Sequence, residues 1–172
     1  VNVQFKYDDA VDLCLQSLQV LGEDYCQTLE EGLRNGWVDK YENKGKQQGA
    51  FSASTFKGPP YILLNYQEKS FDSIFTLTHE AGHSMHSMYS KKNNPYQDYK
   101  YSIFVAEVAS TFNEELLFQH LMKNTTDENF KTYMINKKID DIMSTIIRQT
   151  MFAEFEKLTH AAEEKGDALT LD

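Results

Sequence analysis

The sequence contains little proline or cysteine, no excess of basic residues and no long apolar run. Its 172 residues include three prolines and two cysteines, and its net charge is −9. No apolar stretch approaches the roughly 20 residues that cross a bilayer, and no basic-then-apolar signal segment opens the chain. Because phosphate binding needs clustered Lys and Arg, the acidity argues against a nucleic-acid partner. We therefore expect neither nucleic acid nor a membrane as a partner.

The two cysteines, Cys14 and Cys26, both fall in a predicted helix over residues 8–33. Twelve residues at about 1.5 Å rise place them roughly 18 Å apart along its axis, whereas a disulfide needs Cα atoms within about 7 Å. The sequence therefore predicts two free thiols. Free thiols fit a reducing compartment, and we predict a cytoplasmic location.

Glycine and proline are absent from residues 96–165, a span that divides once, at the polar residues 124–127. There, Thr125 followed by Glu128 suits a helix-starting capping box. Apolar periodicity and turn residues predict the other elements, which are a loop over residues 39–48, strands over 49–54 and 61–66, a helix over 71–90 and a connection over 91–100. The expected fold is mainly α with a small β-sheet.

The run His79-Glu80-Ala81-Gly82-His83 lies within the predicted helix over residues 71–90. Residues four apart share a helix face, so the two histidines can direct their imidazoles at one metal ion. Glu80 lies about 100° from His79 and about 60° from His83 around the helix, where it can act as a general base without being a ligand. An apolar stripe opposite the histidines leaves their face free for the metal. Its members are Ile74, Leu77, Ala81, Met85 and Met88.

A third metal ligand has to come from outside this run, because a catalytic zinc site usually has three protein ligands and one open position. Glu107, on the next predicted helix, is the expected ligand, since a lone carboxylate amid small and apolar residues is costly to bury without a cation. His86 is the alternative, although three ligands on so short an arc would strain a tetrahedral site. A third histidine at the metzincin spacing is excluded, because Tyr89 occupies that position. Glu114 shares the face of Glu107 and could accept a hydrogen bond from a ligand histidine.

Several segments of the chain resemble the thimet oligopeptidase and oligopeptidase F group of zinc metallopeptidases, and the oligopeptidase F branch is the better match. The segments that carry the resemblance are residues 79–87, 101–115, 49–51, 60–66 and 148–156. The resemblance implies a zincin-like catalytic core in which His79, His83 and Glu107 hold one Zn²⁺ per chain. It also implies that Glu80 assists the attack of zinc-bound water on the carbonyl of a short oligopeptide, and that residues 49–54 lie along the bound peptide.

Members of this group are several times longer than the chain. They have a helical lobe before this region and, after it, a segment with tyrosines and a histidine near the scissile bond. Together with the first residue, Val1, and the abrupt end at residues 169–172, this predicts that residues 1–172 are an incomplete part of a single catalytic domain, inactive alone. The local residues Tyr96, Tyr99 and Tyr101 are expected to have packing and loop roles instead. An exopeptidase with the same ligands and a non-catalytic metal-binding fragment are the alternatives to an endopeptidase.

Overall fold

The computed structural model describes residues 4–170 and is mainly helical with one small sheet, as the sequence predicts. Of the abrupt end at residues 169–172, residues 171 and 172 lie outside the described residues. The helices are α1 (Tyr7–Leu18), α2 (Glu23–Arg34), α3 (Asp72–Asn93), α4 (Ile103–Asn124), α5 (Glu128–Ile142) and α6 (Arg148–Lys165), and the strands are β1 (Val38–Asp39), β2 (Phe51–Ser54) and β3 (Pro60–Leu63).

The described residues form two compact units, one over residues 4–124 and one over residues 125–170. The first unit contains the sheet, α1–α4 and every predicted site residue. None of the helices in the described range is long and apolar enough to cross a membrane.

The single helix predicted over residues 8–33 is wrong, because the structure has two helices there. A 3₁₀ turn at Gln19–Leu21 ends α1, and Gly22 then adopts φ 102° before α2 begins. That left-handed backbone conformation interrupts a helix and is tolerated by glycine, which has no Cβ. The cysteines therefore lie on different helices. The prediction that they are unpaired relied on their distance along a single helix axis, and that reason is wrong. Both thiols are nonetheless free.

The sheet has three strands in the order β1-β3-β2, one strand more than the sequence predicts. β3 pairs in parallel with β1 and antiparallel with β2, with Phe51 opposite Leu63 and Ser54 opposite Pro60. β1 lies at the start of the predicted loop and has only two residues, too few for an alternating pattern to be visible. In this arrangement β2 is an edge strand.

Helix α3 is the centre of the first unit, where it packs against β2, β3, α1 and α4. Its predicted apolar stripe faces the core: four of the five residues are buried, and Met88 is half-buried. The largest fully buried side chains of this unit are Tyr7, Val11, Leu18, Leu29, Leu33, Ile62, Leu64, Ile74, Leu77, Met85 and Leu117. The helix that carries the histidines is therefore fixed on several sides by apolar packing.

The second unit is one nearly continuous helical run, in which a π-helical segment, Met143–Ile147, joins α5 to α6. The predicted capping box at its start is wrong. Asp127, not Thr125, is the N-cap, because its side chain accepts hydrogen bonds from the backbone N–H groups of Asn129 and Phe130. Thr125 Oγ1 instead accepts a hydrogen bond from the backbone N–H of Asp127, at 3.2 Å. Aspartate is as good an N-cap as threonine, so the sequence did not separate the two.

Candidate metal centre

The two histidines of α3 lie side by side on the face that the apolar stripe leaves free. The ring centroids of His79 and His83 are 4.7 Å apart and the ring planes are nearly perpendicular. Their side chains are 26% and 17% exposed, respectively, so both remain accessible from one side. The i, i+4 spacing therefore produces the predicted pair of adjacent imidazoles.

Glu107 of α4 faces both histidines. Its Oε2 atom lies 3.4 Å from His79 Nε2, and its Oε1 atom lies 3.6 Å from His83 Nε2. One ligand atom from each of the three residues lies within 4.8 Å of the other two. The side chain of Glu107 is 44% exposed, so it is less buried than the sequence argument assumed. The hydroxyl of Ser110, which is fully buried, lies 3.1 Å from both Glu107 Oε2 and the Glu107 backbone oxygen and can donate its hydrogen bond to either.

A close approach of α3 to α4 makes this meeting possible, and Gly82 permits it. A Cβ atom added at Gly82 would lie 2.7 Å from the Ser110 Cα atom and 2.9 Å from the backbone oxygen of Ala109. Both distances are too short for any real side chain, and both involve backbone atoms that cannot rotate away. The glycine inside the histidine motif therefore sets the distance between the two helices, a role that the sequence analysis missed. The small residues Ala109 and Ser110 of α4 were the feature of the sequence that could have indicated this close approach of the two helices.

Glu114 makes the hydrogen bond that the sequence suggested. Its Oε1 atom lies 2.5 Å from His79 Nδ1, so the Nδ1 proton is directed at the carboxylate and Nε2 is free to face Glu107. Burial alone would lower the pKa of His79, but the hydrogen bond and charge of Glu114, with the charges of Glu80 and Glu107, outweigh it and raise that pKa. The same negative groups that favour a proton on this ring also favour a metal cation beside it.

His83 has the opposite electrostatic balance. Burial lowers its pKa first, and the neighbouring His79 lowers it further, while Glu107 opposes both effects. The backbone of Ala106 also raises the pKa of His83, but by less than burial and His79 lower it. His83 is therefore held in the neutral form, which is the form that binds a metal ion.

Glu80 is the most buried acidic group of the site, with 5% of the residue exposed. Burial raises the pKa of its carboxyl to about 7, although the charge of His79 and a hydrogen bond from the Ser52 backbone lower it. Its Oε2 atom has no hydrogen-bond partner within the described part of the chain. A buried carboxylate oxygen without a partner is costly unless it is used in function, and a pKa near neutrality suits a proton acceptor.

A cavity of about 570 Å³ opens above these residues, between α3, α4 and β2. Ala50, Phe51 and Ser52 form the wall on the side of the sheet, and Tyr101 and Ile103 form part of the opposite wall. Ser52 also contacts α3 directly, because its hydroxyl lies 2.8 Å from the hydroxyl of Ser84. The edge strand β2 is therefore held next to Glu80 across an open space that a ligand could enter.

His86 does not join the three-residue group. Its ring stacks on Tyr101, with centroids 3.8 Å apart, and its buried Nδ1 atom has no hydrogen-bond partner among residues 4–170. The structure thus brings together His79, Glu80, His83, Glu107 and Glu114, and it places His86 one turn away against an aromatic ring.

The donor set fits Zn²⁺. Two imidazole nitrogens and one carboxylate oxygen form a known ligand combination of catalytic zinc sites, which keep a further position open. The carboxylate at Glu114 behind His79 is the partner that metal-binding histidines usually have. The unpartnered Glu80 oxygen stands beside the three ligand atoms and not among them.

Comparisons with known proteins agree with this geometry. The model of peptidase family M3 matches residues 2–172. An oligoendopeptidase F homologue from Borreliella burgdorferi is 56% identical over 94% of this chain, and the oligopeptidase PepF of Bacillus subtilis is 49% identical over 98%. A crystal structure assigned as a peptidase, from Chlamydophila abortus, matches 97% of the chain with a TM-score of 0.82 and 43% identity. The chain spans only 28%, 25% and 28% of these three proteins, respectively.

Proposed function

The chain belongs to peptidase family M3, and from this membership we propose that it supplies the zinc-binding and proton-transfer part of a metalloendopeptidase that hydrolyses short oligopeptides. The observation that carries the proposal is the convergence of His79, His83 and Glu107, whose ligand atoms lie within 4.8 Å of one another. The expected resemblance to this family is confirmed by the comparisons. The reaction is proposed for the whole protein, because the chain spans about a quarter of its relatives.

Each residue of the site has a role that follows from its contacts. His79, His83 and Glu107 would hold one Zn²⁺ per chain, and Glu114 would keep the His79 ring in the tautomer whose Nε2 atom is free. Bound zinc supplies a Lewis acid, which lowers the pKa of water and polarises a peptide carbonyl. Ser110 can restrain the carboxylate of Glu107 through a hydrogen bond to Oε2. The chain's own residues thus restrain two of the three proposed ligands, His79 and Glu107.

Glu80 is the proposed general base. Its free Oε2 atom takes the proton of the attacking water, and the same carboxyl then delivers that proton to the nitrogen of the departing amine. The hydrogen bond from the Ser52 backbone holds the carboxyl in place. Both steps need one carboxyl oxygen without a competing partner, and Glu80 Oε2 has none among the described residues.

We propose that the peptide substrate binds along the edge strand β2. Its residues 51 and 52 line the cavity beside Glu80, and an extended peptide can add to the edge of a sheet through main-chain hydrogen bonds. This placement would bring a peptide bond of the substrate alongside the three metal ligands. The position of β2 therefore supports peptides as the substrate class. The proposed reaction involves neither nucleic acid nor a membrane.

A structural zinc site is the competing type of site, and its chemistry fits less well. Structural sites usually have four protein ligands and often use thiolates, whereas Cys14 is fully buried elsewhere and neither cysteine belongs to the three-residue group. The free thiols support the further proposal of a cytoplasmic location.

Replacement of Glu80 by Gln tests the mechanism. In a whole protein that contains this chain, Glu80→Gln should lower kcat for an end-blocked fluorogenic peptide by about 10²–10⁴-fold, because the amide cannot accept the proton. Zinc content, measured by mass spectrometry, should stay at the wild-type level, since Glu80 is not a ligand. Near-normal turnover would remove Glu80 as the base. Cleavage of peptides with free ends but not of blocked ones would indicate an exopeptidase instead.

A further inference from the structure

The connection between α3 and α4 brings Tyr101 against the face of α3 that continues beyond His83. The Tyr101 hydroxyl lies 2.6 Å from the Ser87 hydroxyl and 3.5 Å from the backbone oxygen of His83. The Tyr101 ring stacks on His86 with an interplanar angle of 15°. Three residues within little more than one turn of α3 therefore contact a single tyrosine side chain.

The rest of this connection is held to its surroundings by independent contacts. The Ser90 hydroxyl donates a hydrogen bond to the Tyr99 backbone oxygen at 2.6 Å. Tyr96 and Tyr99 pack on Phe56, which lies in the turn between β2 and β3. The segment that precedes Tyr101 is thus ordered by its own contacts, so the contact of Tyr101 with α3 costs little additional conformational entropy.

The first turn of α4 needs such an anchor. Ile103 and Phe104 are 74% and 81% exposed, so they contribute little packing, and helix ends with sparse packing open readily. Glu107 lies only one turn into α4, between this exposed end and the tight contact of Gly82 with Ser110. Any opening of the first turn would therefore displace the carboxylate from the two histidines.

We propose that Tyr101 is a positioning residue of the metal centre, which fixes the start of α4 on α3 through Ser87 and His86 and so holds Glu107 at the distance that the ligands require. His86 serves in this arrangement as an aromatic platform, with no ligand role. Its buried Nδ1 atom has no hydrogen-bond partner in the described chain, so an aromatic hydrocarbon ring could replace the imidazole. This inference rests on the proposed zinc site and adds the elements that keep the site assembled.

Zinc affinity of the purified chain, measured by competition with a chromophoric chelator, tests the inference without an activity assay. Tyr101→Ala should bind zinc about tenfold more weakly than the wild-type chain, the effect typical of a lost supporting contact. Tyr61→Ala is the control, because Tyr61 is a 55% exposed tyrosine on β3, outside the connection between α3 and α4, and the affinity of this variant should match the wild type. Circular dichroism of the metal-free proteins should show equal helix content.

A pair of substitutions at His86 separates the platform role from ligation and serves if Tyr101→Ala does not fold. His86→Phe keeps the stack and should bind zinc as the wild type does, whereas His86→Ala should lose about as much affinity as Tyr101→Ala. Equal zinc affinity of Tyr101→Ala, His86→Ala and the wild type would overturn the inference. Loss of affinity in His86→Phe as large as in His86→Ala would also overturn it, in favour of a ligand role. A wild-type chain that binds no zinc would instead refute the proposed site itself.

Discussion

The hydrogen bond between His79 and Glu114 shows how one side chain prepares another for chemistry. Glu114 Oε1 is 2.5 Å from His79 Nδ1, and the carboxylate compensates the positive charge that the ring gains from a proton or a metal ion. Because the partner of a metal-binding histidine fixes its tautomer, removal of that partner weakens metal binding even though the ligand itself is intact.

We predict that Glu114→Ala lowers the zinc affinity of the chain by about 10–100-fold. Glu115→Ala is the matched control, because Glu115 is the next residue on α4 and accepts a hydrogen bond from Gln119, away from the histidines. Chelator competition measures both. Equal affinities of Glu114→Ala and Glu115→Ala would show that the His79–Glu114 contact does not support the site.

The thiols allow a second prediction at this scale. Cys14 is fully buried, and burial raises its pKa to about 12, while burial and the charge of Glu30 raise the pKa of Cys26. The thiolate is the reactive form, so at pH 8 the native chain should react with a disulfide reagent only at Cys26, and slowly. Cys26→Ala should abolish the native reaction, and Cys14→Ala should leave it unchanged. Two rapidly reacting thiols in the native wild-type chain would contradict the buried position of Cys14.

The positions of the site residues were predictable where spacing alone determines them. The positions of His79, Glu80 and His83 follow from the helical repeat, and the structure brings Glu107 to them as expected. Whether His86 joins the group could not be read from spacing, because it depends on Tyr101, which comes from a connection with no periodic pattern. The roles of His79, His83 and Glu107 as ligands, and of Glu80 as base, stay predictions.

At the scale of elements, Gly82 decides whether α3 and α4 can form one site. Alanine is a better helix former than glycine by about 1 kcal/mol, so helix propensity alone would favour Gly82→Ala. The added Cβ atom would meet the α4 backbone at 2.7 Å, however, and α4 would have to move outward with Glu107. The steric effect outweighs the propensity, because overpacking in a tight interface costs about 1–3 kcal/mol.

We predict that Gly82→Ala lowers both the melting temperature of the metal-free chain and its zinc affinity, the latter by about tenfold. Lys92→Ala, at an exposed position near the end of the same helix, should change neither. Calorimetry and chelator competition provide the two values. A Gly82→Ala chain that is more stable and binds zinc normally would mean that helix propensity dominates and that the helices can separate without harm.

Element boundaries were less predictable than element types. The mainly helical fold with a small sheet is confirmed, but the predicted first helix is two helices, because a single glycine at positive φ interrupts an otherwise periodic pattern. The two-residue strand β1 exists because β3 lies beside it, with Ile62 opposite Val38. Such pairing is a tertiary interaction that no local pattern contains.

At the scale of the whole molecule, the chain corresponds to only one part of its longer relatives, the part that contains the candidate metal centre. It spans 28% and 25% of two of them, and α4 exposes several large apolar side chains. Those residues are Ile103, Phe104, Val105, Val108 and Phe112. Apolar surface of this kind marks an interaction site, and we therefore expect peptide hydrolysis only from a longer chain. The three proposed metal ligands lie on α3 and α4 alone, so we expect metal binding from the chain itself. That residues 1–172 belong to a single catalytic domain stays a prediction.

The measurement that tests the account most directly is the zinc content of the purified chain by mass spectrometry, with His83→Ala and Glu107→Ala beside it. We predict about one zinc per wild-type chain, no retained zinc in His83→Ala, and markedly weaker retention in Glu107→Ala with helix content unchanged, because a catalytic site depends on all three protein ligands. A wild-type chain without zinc after the metal is added back, or a His83→Ala chain that retains it fully, would contradict the assignment of this metal centre.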